Sequence, residues 1–114
     1  MDKRKLQVAM ENAVGWLQNT AINRDHTPIG THGASMPTTF WRGAVRGEYR
    51  AATREWGCLC PIWHTGQAVK ALAMAGQMDE ARFCAEFILA NQRDDGLILA
   101  FEDHTDAVNT SAIL

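Results

Sequence analysis

Trp41, Tyr49, Trp56 and Trp63 fall in one stretch of the chain, interleaved with Arg42, Arg46 and Arg50 and closed by His64. Broad aromatic faces stack on the C–H surfaces of sugars, while their polar edges hydrogen-bond at a wet rim. Guanidinium and imidazole groups add the donors that hydroxyl and carboxylate oxygens accept. This mixture suits a uronic or otherwise acidic saccharide, and Trp41, Arg46, Tyr49, Trp56, Trp63 and His64 are the candidate binding residues. Burial of each ring in a core is the competing expectation, since aromatics carry large apolar surfaces.

A second set is built on sulfur. Cys58, Cys60 and His64 form a Cys-x-Cys-x3-His pattern to which His26, His32 or His104 could add a ligand, and thiolate and imidazole together suit zinc. The spacing matches no familiar zinc knuckle, and Leu59 and Pro61 give Cys60 apolar neighbours, as befits a buried thiol. No metal or other cofactor is therefore expected. Cys60 and His64 could also act as nucleophile and base, but no third group is positioned by the sequence to orient the imidazole. Cys58 and Cys60 are too close for an easy mutual bridge and Cys84 leaves the number odd, so reduced thiols and a cytoplasmic location are expected.

These residues need elements to hold them. Leu6, Met10, Ala13, Val14, Leu17 and Ala21 recur at steps of three and four, which predicts a helix over about residues 3–20. Ala68, Val69, Leu72 and Ala73, with Ala71, Met74 and Ala75 between them, predict a second helix that is apolar almost all round and lies inside an assembly. Gly76 should stop it, because glycine takes the left-handed C-terminal position without a Cβ clash. Asp79 is expected to cap a third helix with Phe83, Cys84, Phe87, Ile88 and Ala90 on its apolar side. So short a connection makes the two helices antiparallel.

The third helix should end near Asn91-Gln92. Asp94-Asp95-Gly96 then reads as a turn into an extended Leu97–Phe101, and Asn109-Thr110-Ser111 as the cap of a fourth helix. The long, aromatic-rich connection between the first two helices is the kind of segment that carries function, and Phe40–Arg46 and Glu55–Leu59 are expected to pair as a small hairpin around Arg50–Thr53. A weak echo relates Ala13, Leu17 and Asn19 to Ala85, Leu89 and Asn91, each set followed by an Arg-Asp pair, Arg24-Asp25 and Arg93-Asp94.

Composition narrows the partners. A net charge of -2 provides no basic field for nucleic acid. Gln7, Glu11 and Asn12 interrupt the apolar stretch after Lys3-Arg4-Lys5, so neither a secretory leader nor a membrane partner is expected.

The run Cys60–Leu72, with Ile62-Trp63-His64-Thr65-Gly66-Gln67 at its centre, followed by Ala85–Gly96, resembles the six-hairpin glycosidase-like proteins. The likeness covers about the last sixty residues, and the helix ending followed by Gln and Asp-Gly is shared with other toroids, including terpenoid cyclases. A cyclase-like activity is disfavoured, as the chain has no Asp-rich diphosphate-binding pattern with a basic partner cluster.

The resemblance implies an all-α fold of antiparallel helical hairpins, a partial (α/α) toroid with a long loop or small β-hairpin between helices one and two. A closed toroid of this kind uses about twelve helices. Residues 1–114 are thus expected to form one helical-hairpin domain, an incomplete portion of a larger toroid.

In these toroids the acids cluster in loops that lead into inner helices. The matching loops here offer Glu48 and Glu55, and then Glu102, Asp103 and Asp106. Glycosidic cleavage requires two carboxyl groups, one giving a proton and one acting as base or nucleophile, and Asp103, Asp106 and Glu48 are the candidate catalytic residues. Acids before a helix also serve as caps. The expected function is acid/base hydrolysis of, or elimination from, an acidic saccharide, in the manner of a glycoside hydrolase or polysaccharide lyase. The alternative is a non-catalytic helical module that completes its core as a homo-oligomer or against the remainder of a larger chain.

Overall fold

The computed structural model describes residues 2–29, 38–57, 60–101 and 104–105, with side chains for those up to residue 98. Its first element, α1 (Lys3–Trp16), begins where the Asp2 side chain accepts a hydrogen bond from the Arg4 backbone N–H at 3.0 Å. It passes into a π-helical segment, Leu17–Ala21, closed by the Ile22 N–H on the Leu17 carbonyl at 3.3 Å. The helical stretch thus matches the expected span, with its last turn wider than an α-helical one.

The connection contains the small hairpin, in a different place from that expected. Strand β1 (Glu48–Arg50) pairs antiparallel with β2 (Glu55–Gly57), Tyr49 opposite Trp56. Phe40–Arg46 takes no part in it. Val45 instead forms a bridge with Ile22 and gives its N–H to Thr65 Oγ1 at 2.9 Å. Those groups are already committed to the core when the chain reaches the hairpin.

Helix α2 (Pro61–Met74) starts with proline at the first helical position, where the missing N–H costs nothing. It ends on Gly76 as expected. With Gly76 at φ 81°, its N–H meets the Ala73 carbonyl at 3.0 Å and the Gln77 N–H meets Leu72 at 2.8 Å, the paired bonds of a Schellman stop. Helix α3 (Met78–Ala90) follows at once and lies antiparallel to α2. Its N-cap is Gln77, not Asp79. Asp79 sits inside the first turn, where its charge still opposes the positive helix end. Beyond α3, Gln92 bridges Ile98 and strands β3 (Leu99–Phe101) and β4 (His104–Thr105) pair antiparallel. The start of a fourth helix at Asn109 lies outside the described residues.

Two apolar clusters meet at Val69. One gathers Trp41, Ile62, Phe87, Ile88 and Ile98; the other gathers Ala21, Val45, Leu72, Ala81 and Cys84. α2 buries one face, Ile62, Thr65, Gly66, Ala68 and Leu72, and leaves Trp63, Gln67, Lys70, Ala71 and Met74 exposed on the other. Its apolar composition is therefore only half used. Among the described residues the architecture is three α-helices, two of them an antiparallel pair, with a two-stranded hairpin between α1 and α2. Among the described residues no helix is long and apolar enough to cross a membrane.

Candidate functional site

The loop after α1 is organised by a residue that the sequence patterns did not mark. Asn23 is buried, and its side-chain amide donates to the carbonyls of Asp25 at 2.9 Å and of Thr27 and Trp41, each at 3.0 Å. Its own backbone is tied to Ala44 and Gly43, both at 2.8 Å. Asp25 in turn accepts from the Thr27 N–H at 2.9 Å, and this hydrogen bonding holds its carboxyl below the ordinary carboxylate value. The only sequence signal for this knot is an asparagine directly after a helix end.

Gly43, at φ 91°, lies where a side chain would collide with the Phe83 backbone carbonyl of α3, so the loop passes flush against that helix. On the outside, Arg42 and Arg24 hold their guanidinium carbons 4.9 and 5.1 Å from the Phe83 ring centre. Arg24 also meets Glu80 through two contacts, at 2.8 and 3.2 Å. The site residues are thus carried on a loop fastened to α3.

From this base the candidates divide into groups. Tyr49 and Trp56, paired across the hairpin, have ring centres 5.0 Å apart, and Trp16 of α1 extends the row at 5.5 Å from Trp56. Tyr49 is 47% and Trp16 49% exposed, so the row presents open faces. Trp16 was not among the expected binding residues; its membership depends on how α1 meets the hairpin, which helical periodicity does not encode. Trp63 is exposed at the start of α2. Trp41 follows the core alternative: it is 2% exposed, stacks on Phe87 at 5.9 Å and donates its indole N–H to the Thr38 carbonyl at 3.2 Å.

Glu48 and His64 form the second group. Strand alternation places Glu48 on the opposite face of the hairpin from Tyr49 and Trp56. The His64 ring, one turn into α2, occupies the space where a side chain on Gly47 would stand. Burial pushes its pKa below the ordinary histidine value, and the nearby Glu48 carboxylate counteracts part of that shift. The imidazole is consequently neutral at pH 7, with one nitrogen able to accept and the other to donate. Arg46 is half-buried nearer the Asp25 loop, where its charge helps to lower the Asp25 pKa.

Asp103 and Asp106 lie outside the described residues, as do Glu102, Cys58 and His32. Among the described residues no cluster of three His, Cys, Asp or Glu side chains is placed to hold a metal. Cys84 is buried between α2 and α3, and burial, aided by the Glu80 charge, raises its thiol to about 12, far from the range of a reactive thiolate. Compared with protein-family models, curated proteins and solved structures, the chain matches none.

Proposed function

We propose that this chain is a carbohydrate-active segment of six-hairpin glycosidase-like character, binding an acidic saccharide along the Trp16–Trp56–Tyr49 row. The observation that carries the reading is that row: Trp16 and Tyr49 each lie within stacking distance of Trp56, and both are about half exposed. A core explains Trp41 but not such open faces. On the hairpin face opposite the row, Glu48 and His64 supply a carboxylate and a neutral base, and Arg50, which alternation puts on that same face, offers a guanidinium to a uronate that wraps the hairpin edge. The proposed chemistry is acid/base hydrolysis or elimination, with Glu48 sharing the carboxylate roles with Asp103 and Asp106. The antiparallel α2–α3 pair is the unit from which an (α/α) toroid is built, and supports that wider architecture.

Calorimetric titration with neutral and uronic oligosaccharides tests the reading. Uronic chains should bind, and Tyr49→Ala, which removes an exposed ring, should weaken them about tenfold, the ~1.4 kcal/mol expected of one stacked face. No heat with any saccharide would remove it.

A second reading, self-association without catalysis, is favoured by α1. None of its residues is buried, and Leu6, Met10 and Val14 line a groove of about 520 Å³ between α1 and the α2–α3 turn. Light scattering separates the two: a defined dimer supports self-association, and a monomer that binds saccharide dismisses it.

A further inference from the structure

Gly47 has a feature that the proposed binding site alone does not require. It is exposed, yet a Cβ on it would overlap the Cδ2, Nε2 and Cγ atoms of the His64 ring. The imidazole therefore lies against bare backbone. His64 is fixed from its own side too, because Thr65, the next residue of α2, accepts the Val45 N–H at 2.9 Å. Two residues before Gly47, the same segment is thus fastened to the same helical turn. Proline at the start of α2 and the His64 N–H on the Cys60 carbonyl at 3.1 Å hold that turn in place. The only freedom left to the ring is rotation about its side-chain bonds, and the glycine decides which rotamer has space.

We propose that Gly47 is the positioning residue of the saccharide site, its missing side chain forming the seat that holds the His64 imidazole beside Glu48. The inference rests on the reading of the site given above, but the seat itself can be tested without a saccharide. Any side chain at position 47 expels the ring toward water. Ring burial is what disfavours the imidazolium, and Glu48 is the charged group that opposes this effect. Expulsion therefore returns His64 to ordinary titration and removes an oriented, neutral hydrogen-bonding group from the site.

The test is an NMR titration of the histidine ring protons in the full chain, with His64 assigned by its disappearance in His64→Ala. In the unaltered protein His64 should titrate below the ordinary histidine value. In Gly47→Ala it should move up toward that value, and saccharide affinity should fall about tenfold, as for loss of one oriented hydrogen bond. Should the single variant fold poorly, Gly47→Ala combined with His64→Ala restores space at position 47. This double variant should be as stable, and bind as well, as His64→Ala alone. An unchanged His64 titration in a folded Gly47→Ala would overturn the proposal, as would a double variant clearly worse than His64→Ala. If the unaltered protein binds no saccharide, the functional reading falls, while the His64 titration still decides whether Gly47 is its seat.

Discussion

Helices α1 and α2 are both fourteen residues long and both carry regularly spaced apolar side chains, yet one is built into the molecule and the other lies on its surface. α2 buries Ile62, Thr65 and Leu72 completely and shares its seam with Phe87 and Cys84 of α3, themselves without exposure. α1 buries nothing. It also opens on Lys3, Arg4 and Lys5, whose charges oppose the positive end of a helix, whereas α3 opens on Asp79 and Glu80, which complement it. A helix of this length is marginal by itself in water. Amphipathic spacing thus states that a helix has a face to hide, and the tertiary partners decide whether it is hidden.

The contrast breaks most visibly at Phe87. Phe87→Ala, which empties the space under Trp41, should cost about 3–5 kcal/mol in urea unfolding. Met10→Ala on α1 should stay within about 0.5 kcal/mol. Equal losses would mean that α1 is buried in solution after all. The next largest effect belongs to Asn23, which fastens the loop below α1: Asn23→Ala removes the amide that the Asp25, Thr27 and Trp41 carbonyls share, leaves Trp41 only the Ala44 N–H, and should cost about 1–3 kcal/mol in the same measurement. A loss near zero would show that water replaces the amide and that the knot does not hold the loop.

The smallest effect is a pH dependence. Because the folded-state pKa of His64 is lowered, the unfolded chain binds more protons as pH falls below the ordinary value of 6.5. The His64 contribution is fully present above 6.5 and is lost as pH falls through the lowered folded value. A thermal-melt series from pH 7.5 downward should therefore show a decline that His64→Ala flattens, while the Met10→Ala protein keeps it.

Residues that act on their chain neighbours were legible in the sequence. Gly76 had to stop α2, and the steps from Leu6 to Ala21 marked a helical stretch to within a residue or so of its end. Features set by distant partners were not. The first hairpin strand was expected at Phe40–Arg46, but Val45 is held by Ile22 and Thr65, from elements on both sides of it in the chain. Asp79 was expected as a cap, yet the Schellman turn brings α3 in two residues earlier, at Gln77. Aromatic enrichment marked a stretch of the chain but could not separate the core-bound Trp41 from the open Tyr49. Trp16 and Gly47 were invisible for the same reason, since the importance of each arises from a side chain far along the chain.

The attachment of α1 at one end has a mechanical consequence. Val14 and Leu17, partly buried, pack against the edge of the core and Trp16 rests on Trp56, while Arg24, just past the π-helical segment, grips Glu80 and the Gln18 carbonyl. The helix, roughly 21 Å long, is a lever with its fulcrum near its last turn, which leaves a long arm of roughly 15 Å. A load placed on the Lys3 end tilts the short arm as well, and Trp16 carries that tilt directly into the aromatic row.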